Sequence, residues 1–483
     1  MASRAERGRP ASERVSRGLG WSMTGNLTIR LGNVAASMIM ARLIAPEQFG
    51  VFAVALTVWM ILGTLAEFGL GTDIIRSKHP ARIIPTVATI GLVASGLLAL
   101  GMALGAPLIA ASFSTPDAAG LISWMSIGLL LMGLSIVPSA LLHREYRQGT
   151  LFAINAAGLV ASLATMTTLA LLGFGPVALV AGHLAQQSVA LIGQLIATKF
   201  PLRLGWDPDI ARASIKVSAP LAAANLVSWL LITVDNMLVA RGMDSEALGF
   251  YLLAFNVSSW PMSAIGSSVR VVALPAFAHV EDEQLRNAGF VRASALVFAV
   301  GALIGTGLAT MAPQVVQVLY GTPWLPAADA LAGLAVFGIT RVIFDLTATF
   351  LIARGSTLAV LAVQLVWIAA MVPAMILAIG WFGLAGAGWA HVAVALVIVV
   401  PGYLICLRRH GVRAAQLGVA MLRPALAAVV LALVLGLGVA RIERPIVALL
   451  VAGAAGLGLY LAPLYRWGRG LVTELKAPSS EAS

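Results

Sequence analysis

Ala41-Arg42-Leu43-Ile44-Ala45-Pro46-Glu47-Gln48-Phe49-Gly50-Val51-Phe52 returns, 199 residues later, as Ala240-Arg241-Gly242-Met243-Asp244-Ser245-Glu246-Ala247-Leu248-Gly249-Phe250-Tyr251. At that offset Asn26 meets Asn225, Leu27 meets Leu226 and Met38 meets Met237, and Ala41, Arg42, Glu47, Gly50, Ala55 and Val58 each meet an identical residue. One unit has been used twice. Two copies predict two lobes facing one another, with function at the seam.

Both copies sit in apolar surroundings. With 60% hydrophobic and 11% charged residues, the chain is not an ordinary soluble globule. A helix needs roughly 20 apolar residues to cross the hydrocarbon core, and apolar runs of that length recur along the whole chain. The reading is an all-α polytopic membrane protein with about 14 transmembrane helices. The predicted layout is a basic cytoplasmic tail over 1–18, an N-lobe of helices 1–6 over 19–198 and a cytoplasmic linker over 199–214. A C-lobe of helices 7–12 over 215–406, helices 13–14 over 407–466 and a cytoplasmic tail over 467–483 complete it. The repeat offset spans six helices, an even number, so the lobes form a parallel pseudo-twofold repeat about an axis along the membrane normal. The last two helices have no counterpart. The run Lys199 to Asp209, rich in proline and charge, is the expected hinge.

Charge fixes the orientation. Arg4, Arg7, Arg9, Arg14 and Arg17, then Arg76, Lys78, Arg82, Arg144, Arg147, Lys199, Arg203, Arg212 and Lys216 fall on one side. Arg286, Arg292, Arg354, Arg408, Arg409, Arg413, Arg423, Arg466, Arg469 and Lys476 follow there, whereas the other side holds Arg42, Arg241, Arg441 and Arg444. By the positive-inside rule both termini are cytoplasmic. The net charge of +11 is mostly this bias, and no nucleic-acid partner is expected. The basic start is read as a tail on the anionic leaflet, not a cleaved signal peptide. Cys406 stands alone, so no disulfide forms within the chain. The glycine-rich run Gly383-Leu384-Ala385-Gly386-Ala387-Gly388 reads as close helix packing.

Polar residues inside apolar helices show which faces avoid lipid. Ser22, Asn26, Arg30, Asn33 and Ser37 recur at steps of 4, 4, 3 and 4 in the first span, one helical stripe. The eighth span carries Asn256, Ser259, Ser263, Ser267 and Arg270; the seventh carries Ser218, Asn225, Ser228 and Asp235; the second carries Thr57, Thr64 and Glu67. A wet cleft lined by these four helices keeps every stripe hydrated, although the same residues also serve as hydrogen-bond glue between helices. Arg30 favours the cleft, because a guanidinium at mid-helix costs about 2.5–3.5 kcal/mol. Arg341 and Asp345, four apart on the tenth span, are either a neutralising pair or a ligand site. Asp235, Glu67 and Asp345 are either coupling-ion sites or partners for the arginines.

His143, His183 and His391 lack metal-ligand spacing, and there is no Walker lysine, glycine-rich nucleotide loop or HExxH. No metal, cofactor or ATP drive is expected; movement is left to a coupling-ion gradient (H+ or Na+), the membrane potential or the substrate's own gradient. The outer turns Phe113 to Asp117, Gly173 to Pro176 and Tyr320 to Trp324 are expected to be too small to build a site, which argues against an enzyme.

The run Ala41 to Gly50, continuing through Glu67-Phe68-Gly69-Leu70 to Ile74-Ile75-Arg76, resembles the opening helices of the polysaccharide-transporter (Wzx-like) oligosaccharide flippases. Asp235 to Arg241, Leu248 to Tyr251, and Val269-Arg270 to Leu274-Pro275-Ala276-Phe277 are similar to that family's seventh and eighth helices. The family belongs to the multidrug/oligosaccharidyl-lipid/polysaccharide exporter superfamily. The resemblance implies a multi-pass flippase of the bacterial inner membrane, moving undecaprenyl-pyrophosphate-linked oligosaccharide to the periplasmic face by alternating access. It implies a pyrophosphate-binding role for Arg30, Arg270 and Arg341, beside Asn26, Asn33, Asn225 and Asn256, and polysaccharide polymerases or glycosyltransferases as partners. A lipid-tail groove between helices 13 and 14 belongs to the same expectation. A cation-coupled multidrug exporter served by Asp235 and Glu67, and a non-transporting membrane scaffold, stand as alternatives.

Overall fold

Proline and aspartate set where the helices begin. The computed structural model describes residues 28–29, 32–67, 69–77, 79–199, 203–279, 282–439 and 442–476, without the side chains of 217, 219–232, 263–265, 267–279, 439 and 472–476. Pro46, Pro80, Pro176, Pro208 and Pro445 each stand at a first helical position, where the missing N–H is no loss. Asp207 and Asp282 cap the helices that follow them, accepting from the amides of Asp209 and Ile210 (3.0 and 3.2 Å) and of Gln284 and Leu285 (2.7 and 3.2 Å). Every regular element among the described residues is helical.

The chain falls into two compact units, Met1–Gly249 and Phe250–Ser483. The first contains α1 (32–43), α2 (Pro46–Glu67), α3 (Leu70–Arg76), α4 (Pro80–Ser112), α5 (Ala118–Arg144), α6 (Gln148–Leu171), α7 (Pro176–Thr198) and α8 (Pro208–Gly242). Here α4 packs on α5 and α6 on α7, while α2 touches α4, α5, α7 and α8. Small side chains let α2 take that central place: Ala53, Val54 and Ala55 are fully buried.

The expected hinge is tied down over its described part. Gly205 N–H donates to Thr89 Oγ1 (3.1 Å), whose hydroxyl in turn donates to the Gly205 carbonyl (2.9 Å). Asp207 N–H donates to Thr86 Oγ1 (3.2 Å). These bonds join the segment to α4, and α8 starts at Pro208, inside the stretch expected as linker. The division between the two compact units falls after Gly249, in the first turn of α9.

The second unit holds most of α9 (Ser245–His279), then α10 (Glu283–Thr310), α11 (Ala312–Tyr320), α12 (Ala327–Ala353), α13 (Thr357–Val394), a π-helical turn at Ala395–Val399, α14 (Val400–Arg408), α15 (Ala414–Val439) and α16 (Pro445–Lys476). α12 packs on α10 and α13, and α15 on α10 and α16. The glycine-rich run does serve close approach. A Cβ on Gly333 of α12 would lie 2.5 Å from the Gly388 carbonyl carbon of α13, so both helices need glycine at that crossing.

Ten segments among the described residues are long and apolar enough to cross a membrane, so the protein is a multi-pass membrane protein. One of them, Thr357–Arg408, is long enough for two passes and has non-helical backbone at Gly383 (φ 57°, ψ −134°). α10 begins at Glu283, capped by Asp282 ahead of its apolar stretch, and α9 extends to His279.

Candidate functional site

Asn26 and Arg30 lie outside the described residues, as do the side chains of Asn225 and Arg270. Of the remaining candidates, Asn33, Glu67 and Asn256 are exposed, Asp235 is buried, and Arg341 and Asp345 are half-buried. α2 ends at Glu67, and Gly69 takes a left-handed turn (φ 66°) into α3. The Glu67 carboxylate lies at a helix end and is exposed, with no burial to offset.

Asp235 is the opposite case. Its residue exposure is 3%, and its Oδ1 accepts from the Asn236 amide at 2.8 Å. Thr233 and Asn236, at 3% and 9%, are buried beside it on α8. A carboxylate withdrawn this far from solvent is costly unless hydrogen bonds or an opposite charge compensate it.

In the second unit the charges of α12 face α9. The Arg341 guanidinium carbon lies 5.9 Å from the centre of the Phe255 ring, a cation–π contact. One turn further on, Asp345 uses space left by Gly266, where a Cβ would sit 2.9 Å from its Oδ2. Phe255 and Gly266 are 11 residues apart, three helical turns, and so share one face of α9. Thr349 Oγ1 donates to the Asp345 carbonyl at 2.7 Å, one turn further along α12.

Two residues missing from the sequence-based candidates complete this face. The Tyr251 hydroxyl lies 2.8 Å from His391 Nε2, and both residues are buried. The His391 ring is 4.9 Å from Phe337, which precedes Arg341 by one turn, and Tyr251 precedes Phe255 by one turn at 6.3 Å. Aromatic rings, a guanidinium and a carboxylate thus follow one another along two facing helices. Tyr251 stands where the first copy of the repeat has Phe52, so the repeat itself marked the position at which one copy gains a hydroxyl. Chemically, the guanidinium offers planar, bidentate recognition of an anionic oxygen pair, and the tyrosine–histidine pair offers a buried hydrogen bond beside it.

Apolar helices that carry ionisable groups on facing surfaces form a membrane transport architecture. The chain belongs to the polysaccharide biosynthesis protein family, whose sequence pattern matches residues 39–329, more than half its length. The resemblance read from Ala41 to Arg76 is borne out, and the family is that of the Wzx-like polysaccharide transporters. Among its relatives, the succinoglycan biosynthesis transport protein ExoT of Rhizobium meliloti is 26% identical over 67% of this chain and 66% of that protein. The lipopolysaccharide biosynthesis protein WzxC of Escherichia coli is 23% identical over 71% and 70% of the two chains. Among solved structures, the lipid II flippase MurJ in an inward closed conformation is similar in fold, with a TM-score of 0.77 over 93% of this chain and 99% of that one, at 13% identity. An inward-facing multidrug resistance MATE family transporter gives a TM-score of 0.63 over 80% and 98%, at 16% identity. The family and these neighbours are transporters and flippases, not enzymes.

Proposed function

We propose that this protein is a flippase that carries undecaprenyl-pyrophosphate-linked oligosaccharide across the bacterial inner membrane for cell-surface polysaccharide synthesis, by alternating access. The observation that carries the reading is the family match over 39–329, joined to the placement of Arg341 on an apolar helix facing α9. A guanidinium in that setting suits a pyrophosphate, which accepts paired donors. In this reading the chain crosses the membrane 14 times, as two six-helix lobes in parallel repeat plus two C-terminal helices, with both termini cytoplasmic. Arg30 and Arg270 join Arg341 at the headgroup, and H+ or Na+ supplies the drive through Asp235 or Asp345.

The test is reconstitution. Purified protein in vesicles with fluorescent lipid-linked glycan on the inner leaflet should expose the label to an impermeant quencher at a rate above protein-free vesicles. Equal rates would defeat the proposal. Buried Asp235 favours one second reading, a cation-coupled exporter of small cations, consistent with the MATE-like fold. Energy-dependent efflux of ethidium, abolished by Asp235→Asn, together with no glycan movement would establish that reading instead.

A further inference from the structure

The turns judged too small to build a site do wall a cavity. In the first unit a cavity of about 540 Å³ opens among the first turn of α2, the start of α5 and the start of α7. That volume falls within the roughly 300–1,000 Å³ typical of small-molecule sites. Its lining includes Glu47, Gln48, Asp117, Trp124, Pro176 and Val180, drawn from three separate stretches of chain. Trp124 presents 57% of its surface although it lies on a helix whose neighbours Leu121, Ile122 and Met125 are buried. Asp117 occupies the N-cap position of α5 yet makes no cap hydrogen bond, so its carboxylate is not used by its own helix. Gln48 packs its amide against Gly175, whose positive φ of 54° turns the chain into Pro176 and brings the third wall into place.

The chemistry of this lining is selective. A flat indole face offers apolar contact to a ring of C–H groups. Two carboxylates accept charge-assisted hydrogen bonds from hydroxyls, and the glutamine amide both donates and accepts. An apolar ring face rimmed by hydroxyls matches all of these at once, whereas a compact cation would use the carboxylates alone. We propose that this cavity is a saccharide-binding subsite for pyranose rings without acidic groups, since Glu47 and Asp117 repel carboxylated sugars. The inference rests on the flippase reading and its orientation, which put the cavity at the periplasmic end of the first unit. There it would hold the glycan as it leaves.

Protein in lipid nanodiscs is examined by saturation-transfer NMR with cellotetraose as the neutral probe and tetragalacturonate as the acidic one. Wild type should transfer saturation to cellotetraose at millimolar concentration and about tenfold less to tetragalacturonate, a difference equivalent to one like-charge clash. Trp124→Ala should abolish the signal, while Trp124→Phe, which keeps an aromatic face, should retain it with unchanged melting. Glu47→Gln with Asp117→Asn should remove the discrimination against the acidic sugar. No transfer in wild type, transfer undiminished by Trp124→Ala, or displacement of cellotetraose by tetraphenylphosphonium at lower concentration would each overturn the subsite. Lipid-linked glycan translocation is measured on the same purified protein reconstituted into sealed vesicles. Translocation without cellotetraose binding rejects the subsite and leaves the flippase standing; binding without translocation rejects the flippase reading.

Discussion

Gly50 and Gly249, 199 residues apart in sequence, meet across the starts of α2 and α9. A Cβ on Gly249 would lie 2.7 Å from the Pro46 carbonyl oxygen and 3.1 Å from the Gly50 nitrogen, and a Cβ on Gly50 would overlap the Ser245 carbonyl oxygen. Pro46 and Ser245 are related by the same offset, so each glycine faces the partner of its own neighbour. The two copies of the opening stretch contact each other symmetrically through backbone.

Alanine at either glycine must force those backbones apart. Overpacking of this kind costs about 1–3 kcal/mol, so Gly50→Ala and Gly249→Ala should each lower the melting temperature in detergent by several degrees. The double variant should cost less than the two single changes together, because the first already opens the contact. Unchanged melting in both single variants would mean that the approach is not needed.

The sequence announced this pair through identity at a fixed offset, and it announced the helices through apolar runs ended by proline and aspartate. Both signals are local or periodic. Contacts that join distant stretches were not legible: Tyr251 with His391 are 140 residues apart, and Thr89 with Gly205 are 116 apart. A helical stripe also shows only that residues share a face. Asn33 and Asn256 share theirs and are exposed, while Asp235 is buried. The short turns misled for the same reason, since Asp117 and Pro176 wall a cavity only once α5 and α7 are side by side.

Arg341 lies over Phe255 with its charge on an apolar helix. If it holds the pyrophosphate, Arg341→Ala removes charge-assisted hydrogen bonds worth about 1.5–3 kcal/mol and should slow glycan translocation at least tenfold, on the order of 1.4 kcal/mol. Arg341→Lys keeps the charge but not the bidentate fork and should fall between. Initial rates in reconstituted vesicles decide it, with membrane insertion checked by proteolysis. A wild-type rate for the alanine variant would remove Arg341 from the site.

Arg144, counted in the sequence among the inner cations, is a helix cap. Its Nη1 donates to the carbonyls of Ile74, Ile75 and Ser77 at 2.9, 2.9 and 2.6 Å, closing the end of α3 with positive charge against the helix dipole. Arg144→Ala should destabilise the first unit by about 1.5–3 kcal/mol, read as earlier proteolytic cleavage near residue 77. Arg144→Lys should restore part of it. Equal cleavage in wild type and alanine variant would show that water replaces the cap at no cost.

His410 joins three separate segments beyond the end of α14. Arg354 Nε donates to its Nδ1 (3.4 Å), so Nδ1 carries no proton and Nε2–H donates to Ser356 Oγ (2.8 Å). Asn287 Nδ2 donates to the His410 carbonyl at 2.9 Å, and Arg354 pairs with Glu283 at 2.8 Å. Burial, then the Arg354 charge, holds the imidazole below its ordinary value of 6.5, against an opposing pull from Glu283. The unfolded chain therefore takes up the proton first as pH falls. The stability from neutral His410 is present above pH 6.5 and is lost as pH drops from there through the lowered folded-state value. Melting should fall between pH 7.5 and pH 5.5, on the order of two units. His410→Gln, which cannot be protonated, should melt with a shallower pH slope over the same window. Parallel slopes for wild type and variant would show that the titration resides elsewhere.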